Sequence, residues 1–281
     1  MQLHNAFAHT LIDELQPVFV RADPNGLAFD PHAQRLYIAD SYTGAIICAE
    51  GDRQRRIATI ESGGAIGERI SGLTITPYGA LFVTRIGQGS AGAIFRVEPD
   101  GQVDEIGRLP AVYHRVGVTY DAREHALYTT QFRSGVNGAC DGSIVVIDLV
   151  TQEPSTVLDG FAKPVGIVKL GSAIVVADAR QRAVFRVELV AGRAVRRIQL
   201  AGNIDRPDSL CVYGGDSVLV TTYDDQARRG AVRRLWFDGK TRTIAAGAWE
   251  PRGVATDGER AFVAMRRGGQ VMTFRVEPSD V

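Results

Sequence analysis

The chain has 281 residues, 45% of them hydrophobic, with 32 basic and 32 acidic side chains and a formal net charge of zero. That balance argues against a nucleic-acid partner, since no basic stripe interleaved with aromatics is present. No apolar run is long enough to span a membrane, and no basic segment followed by an apolar one opens the chain. The expectation is one large domain over residues 1–281 with a full core, cytoplasmic by default.

In chain order, residues 1–16 form an N-terminal extension with only a weak helical period near Leu11 to Leu15. Pro17 to Ala22 (PVFVRA) follows as a run of strand length. Then a short apolar segment opening on a glycine-type turn recurs six times, at intervals of 43 to 49 residues: PNGLAFD from Pro24, ISGLTIT from Ile70, RVGVTYD from Arg115, PVGIVKL from Pro164, PDSLCVY from Pro207 and PRGVATD from Pro251. Each is answered about ten residues later by a second β-rich run: LYIAD, LFVTR, LYTTQ, IVVAD, LVTTY and FVAM. The alternation has period two, which excludes a helical solenoid. A period of this size built of short strands predicts an all-β fold, a six-bladed β-propeller with four-stranded blades.

The ends complete the count. Blade six offers strands at Arg252 to Thr256, Ala261 to Met265 and Gln270 to Val276, and then the chain stops one strand short. Pro17 to Ala22 is expected to pair with Gln270 to Val276 and close the ring, removing an exposed sheet edge. Cys48, Cys140 and Cys211 fall at unrelated blade positions and read as buried or incidental thiols, not as a disulfide framework or zinc site.

Function in a propeller lies at one end of the central channel, where connecting loops are free to vary. Two sets of residues are expected there. The residues before each turn glycine are Asn25, Ser71, Val116, Val165, Asp208 and Arg252; those ending each second strand are Asp40, Arg85, Gln131, Asp178, Tyr223 and Met265. These polar side chains differ from blade to blade, which favours an enzyme over a scaffold. His114 reads as a proton carrier or as an exposed loop imidazole. Arg85, Arg115, Arg252 and Arg266 suit an anionic small molecule or ion pairs to neighbouring blades. Asp40 and Asp178 read first as turn caps. The glycine-rich segments Ile86 to Gly92 and Phe132 to Ser143 are positioned to cover a ligand or are surface insertions.

PNGLAFDPHAQRLYIADS, Pro24 to Ser41, resembles the signature of the gluconolactonase/regucalcin-like (senescence marker protein) family of six-bladed propellers, and PDSLC, Pro207 to Cys211, is similar to that family's PDGMC. NHL-repeat, strictosidine-synthase-like and virginiamycin-lyase-like propellers share the repeat background. The resemblance implies a lactonase-type hydrolase and one divalent cation (calcium, zinc or magnesium) on the channel axis, held by a Glu of blade one, an Asn of blade four and an Asp of blade five. Asp208 matches the last, Asn25 stands where the Glu would be, Val165 where the Asn would be, and the substrate-contacting NDG motif is RVG at Arg115 to Gly117. Either the ring is used in another rotational register or the metal is lost.

Three readings follow. The first is a lactone hydrolase with Asp208 orienting water, directly or through a cation held by Asn25 and Asp208, and with Ser71, Arg85, Arg115, Gln131 and Arg252 contacting substrate. The second is a metal-independent lyase or cyclase with His114 or Tyr223 shuttling the proton and Arg115 holding substrate. The third is a non-catalytic NHL-type propeller that binds a ligand or a protein.

Overall fold

The computed structural model describes residues 18–19, 23–61, 69–87, 92–107, 109–134, 140–247, 249–266 and 269–276. The N-terminal extension, Leu11 to Leu15, and the middles of both glycine-rich segments lie outside the described residues. Six four-stranded antiparallel sheets stand in a ring. The inner strands are Pro24–Asp30, Arg69–Ile75, His114–Asp121, Pro164–Leu170, Pro207–Tyr213 and Pro251–Thr256. The second strands are Arg35–Asp40, Leu81–Ile86, Ala126–Ser134, Ala173–Asp178, Ser217–Asp224 and Arg260–Met265. This is the expected six-bladed propeller, and among the described residues no helix is long and apolar enough to cross a membrane.

Ring closure uses the N-terminal segment. Val18 pairs with Val271 and Phe19 with Gln270, so Val18–Phe19 becomes the fourth strand of blade six. The last sheet therefore joins the N-terminal segment to the final strand and covers that strand's edge at Gln270 and Val271.

Every inner strand carries a register shift at the same place: between Pro24 and Leu27, Ile70 and Leu73, Arg115 and Val118, Pro164 and Ile167, Pro207 and Leu210, and Pro251 and Val254. A bulge bends its strand and re-aims the side chains on it. Here it brings the turn glycine of one blade against the backbone of the next. A Cβ on Gly26 would sit 2.0 Å from the Ser71 carbonyl oxygen, and one on Gly117 2.2 Å from that of Val165. The period-forming glycines are thus required by blade-to-blade contact.

Three buried threonines lock the same seams. Thr84 Oγ1 accepts from Gly72 N (2.8 Å) and donates to the Val116 carbonyl (2.6 Å); Thr130 does so between Gly117 (2.8 Å) and Val165 (2.7 Å), and Thr221 between Ser209 (2.9 Å) and Arg252 (2.7 Å). Ala39, Ala177 and Ala264 occupy the corresponding positions in the other blades. Below the bulges the six inner strands surround a cavity of about 210 Å³, lined mainly by apolar residues such as Leu27, Val118 and Val254. The bulges and the mouth lie at the other end of the channel, where the inner strands begin.

Candidate functional site: the channel mouth

The register fixes which residues are equivalent around the mouth. Pro24, Ile70, Arg115, Pro164, Pro207 and Pro251 pair with Asp40, Arg85, Gln131, Asp178, Thr222 and Met265. In blade five, Thr222 therefore occupies the position that the sequence reading gave to Tyr223. Tyr223 falls one residue later, and its ring lies 4.7 Å from the Arg206 guanidinium carbon. The physical reason is the run LVTTY, whose paired threonines give no landmark for the register.

Two positions before the turn residues lies a column of which only His114 stands out in the sequence. Immediately before the six paired residues stand Asp23, Arg69, His114, Lys163, Arg206 and Glu250, a titratable side chain in every blade. The signal was available, since four of the six precede a proline that opens an inner strand. These residues divide the mouth into an ionic side and an apolar side.

The ionic side spans blades five, six and one. Asp208 Oδ2 accepts from Arg252 Nη1 at 2.7 Å, and Arg252 Nη2 lies 3.2 Å from Glu250 Oε1. The same Glu250 oxygen receives Arg206 Nη2 at 2.7 Å and Arg266 Nη1 at 2.8 Å, while Arg206 Nη1 reaches Asp225 at 2.9 Å. Burial works to raise the Glu250 pKa, but the bonds from Arg266 and Arg206 and the charge of Arg252 outweigh it and hold the carboxyl below its usual range. Arg252 is pushed the other way. Its burial is more than offset by Asp208 and Glu250, so its pKa rises. Asp23 pairs with Arg69 at 3.2 Å, and its burial still keeps its carboxyl above the ordinary value.

The apolar side spans blades three and four. Val116 and Val165 are buried on the ring. The His114 imidazole packs on Phe132 with ring centroids 4.9 Å apart, and Lys163 Nζ lies 5.5 Å from the Phe132 centroid. The His114 Nδ1 is buried with no hydrogen-bond partner among the described residues. Burial lowers the His114 pKa, the Gly87 backbone opposes that, and the Lys163 charge adds to it. The neutral imidazole is therefore favoured.

The remaining candidates are engaged elsewhere. Arg115 is fully buried; it donates to Gln131 Oε1 and to the Pro110 carbonyl (3.1 Å), and desolvation lowers its pKa to about 10. It sits in the column that holds Pro or Ile in the other blades and ties the segment entering blade three to that blade's second strand. Gln131 also donates to Ser143 (3.2 Å). Ser71 is buried, and Arg85 lies 4.8 Å from the centre of the Phe95 ring. Asp40 accepts from the backbone of Asp23, Tyr42 and Thr43, and Asp178 from that of Ala162, Lys163, Arg180 and Gln181. Both act as turn caps.

The donors do not suit a divalent cation. Calcium takes six or more oxygens, and smaller catalytic ions take several well-placed anionic or imidazole ligands. Val165 has no donor, the Asn25 amide nitrogen is directed to the Ile70 carbonyl (3.4 Å), and one Asp208 oxygen is held by Arg252. Among the described residues, no three His, Cys, Asp or Glu side chains are grouped so as to hold a metal ion.

Fold and mouth define a six-bladed β-propeller with a polar site at one channel end. Residues 21–133 match the model of the SMP-30/Gluconolactonase/LRE-like region, which bears out the resemblance carried by Pro24 to Ser41. Similar solved structures include a gluconolactonase from Xanthomonas campestris (TM-score 0.74, 13% identity, over 93% of this chain and 89% of that one). A regucalcin from Agrobacterium tumefaciens, described as a calcium-binding protein, aligns with TM-score 0.65 and 15% identity over 92% and 90% of the two chains. Virginiamycin B lyase from Staphylococcus aureus aligns with TM-score 0.63 and 17% identity over 95% and 99%. No curated protein sequence matches the chain.

Proposed function

We propose that the protein is a small-molecule hydrolase that opens a lactone or related cyclic ester at the channel mouth. The observation that carries this reading is the match of residues 21–133 to the SMP-30/Gluconolactonase/LRE-like region, in a chain that keeps an aspartate, Asp208, on the mouth ring. Asp208 Oδ2 is held by Arg252, whereas Oδ1 accepts no hydrogen bond among the described residues. Oδ1 holds a water and takes its proton as the water oxygen adds to the lactone carbonyl. The carbonyl π pair moves onto its oxygen, and the adjacent guanidinium counters the developing charge. Collapse breaks the ring C–O bond, and the leaving alkoxide receives the proton from Asp208. The sum is lactone plus water to hydroxy acid. In a panel of five- and six-membered lactones, Asp208→Asn should lose about a hundredfold or more in kcat, the scale of general-base and electrostatic contributions. Full activity in that variant refutes the assignment.

A second reading rests on a separate observation, the buried and unpartnered Nδ1 of His114, whose ring packs on Phe132. An imidazole so arranged suits proton abstraction in a lyase or cyclase. The similar virginiamycin B lyase has a catalytically inactive form with a histidine-to-alanine substitution. Loss of turnover in His114→Gln with Asp208→Asn unaffected would favour this reading over hydrolysis.

A further inference from the structure

We propose that Arg252 takes the place of a divalent cation at this mouth: its guanidinium is fixed on Asp208 and presents its spare N–H groups to an electron-rich oxygen of the substrate. The first ground is position. Arg252 and Asp208 occupy equivalent ring positions in adjacent blades, and the carboxylate that matches the family's metal ligand is closed by Arg252 at 2.7 Å.

The second ground is charge. Arg69, Arg206, Arg252 and Arg266 face Asp23, Glu250, Asp208 and Asp225, four positive groups against four negative ones. The cluster is neutral without an ion, and a divalent cation on Asp208 would sit uncompensated beside a guanidinium that does not deprotonate in proteins. Glu250 is the anchor of the arrangement. With only 7% of its side chain exposed, it binds the guanidiniums of Arg206, Arg252 and Arg266 through one oxygen and so fixes Arg252 at Nη2 while Asp208 holds Nη1.

The third ground is donor capacity. The ion pairs to Asp208 and Glu250 draw on Nη1 and Nη2, each of which carries a second N–H, and Nε–H completes the five donors of a guanidinium. About a quarter of the side chain (24%) is exposed, so a ligand oxygen can reach it. A planar fork of this kind recognises a carbonyl, a tetrahedral oxyanion or a carboxylate.

This inference leans on the hydrolase reading only for what the cation does, and its test reads metal binding and stability instead of turnover. Calorimetric titration of the full chain with calcium, magnesium and zinc chlorides should give no binding heat, whereas stoichiometric binding of any of them at the mouth, lost in Asp208→Asn, overturns the proposal. Thermal unfolding of Arg252→Ala should begin lower than wild type and be raised by millimolar guanidinium or calcium. That rise should be absent from the Arg252→Ala/Asp208→Asn double variant. If neither cation raises it, or if the double variant responds equally, the guanidinium is not filling a cation's place. Should Arg252→Ala fail to fold, Arg252→Gln carries the same comparison. A protein that passes these tests but hydrolyses no lactone would retain the cation assignment and lose the hydrolase reading.

Discussion

Arg252 Nη1 lies 2.7 Å from Asp208 Oδ2, an ion pair between neighbouring blades on the residues that line the channel mouth. It joins a larger network because Arg252 also touches Glu250, which gathers Arg206 and Arg266. The mouth is thereby divided into an ionic side and a side where the His114 imidazole and the Lys163 amine face the Phe132 ring.

The Glu250 network should make stability depend on pH. The folded pKa of Glu250 is depressed, so its contribution is fully present above the unfolded carboxylate value of about 4.3 and is lost as pH falls through the lower folded value. Glu250→Gln should cost about 2 kcal/mol near neutrality and flatten the acid limb of a Tm-against-pH curve. An unchanged acid limb would show that the three arginines do not depend on this carboxylate.

His114 is expected to titrate with the opposite chemistry but in the same direction of stability. Its folded pKa is lowered by burial, so the neutral ring is favoured, and stability present above the unfolded value of about 6.5 declines as pH drops below it. His114→Phe should remove that decline between roughly pH 7 and 5. Imidazole titration followed by NMR gives the direct check, with a midpoint below the ordinary histidine value.

The blade seams can be probed without touching the ionic side. Thr130→Val keeps the shape of the side chain but leaves the Gly117 N–H and the Val165 carbonyl without their hydroxyl partner, at about 1–3 kcal/mol. Gly117→Ala places a methyl 2.2 Å from a backbone oxygen and should cost at least the ~1–3 kcal/mol of an overpacked core. Denaturant unfolding that ranks Gly117→Ala below Thr130→Val, and both below wild type, fits this ring; wild-type stability in Gly117→Ala does not.

Removing residues 1–22 should open the edge of the last strand at Gln270 and Val271, which Phe19 and Val18 cover. The expected outcome is a lower Tm and concentration-dependent association measured by light scattering. A truncated chain as stable and as monodisperse as the full one would contradict closure by this strand.

Much of the architecture was legible in the chain. The recurring turn glycines are imposed by contacts such as Gly26 on Ser71 and Gly117 on Val165, so the packing of the ring is written as a sequence period. Asp40 and Asp178 were readable as caps because an aspartate at a strand end finds nearby backbone N–H groups. Ion pairs from Arg252 and Arg266 to neighbouring blades were readable, but not the convergence of Arg206, Arg252 and Arg266 on one Glu250 oxygen, because no linear spacing encodes that meeting. Arg115 looked like a substrate contact because it stands on the mouth ring, yet its side chain is fully buried. Burial against Gln131 and Pro110 is a tertiary outcome that its neighbours in sequence do not announce.

The most direct test of the account is the rate of lactone opening by chain stripped of metal with chelator, with and without added calcium, magnesium or zinc. The account predicts hydrolysis that chelation leaves intact and that Asp208→Asn and Arg252→Ala both abolish. Hydrolysis that disappears on chelation and returns with a divalent ion, or that persists in both variants, would contradict it.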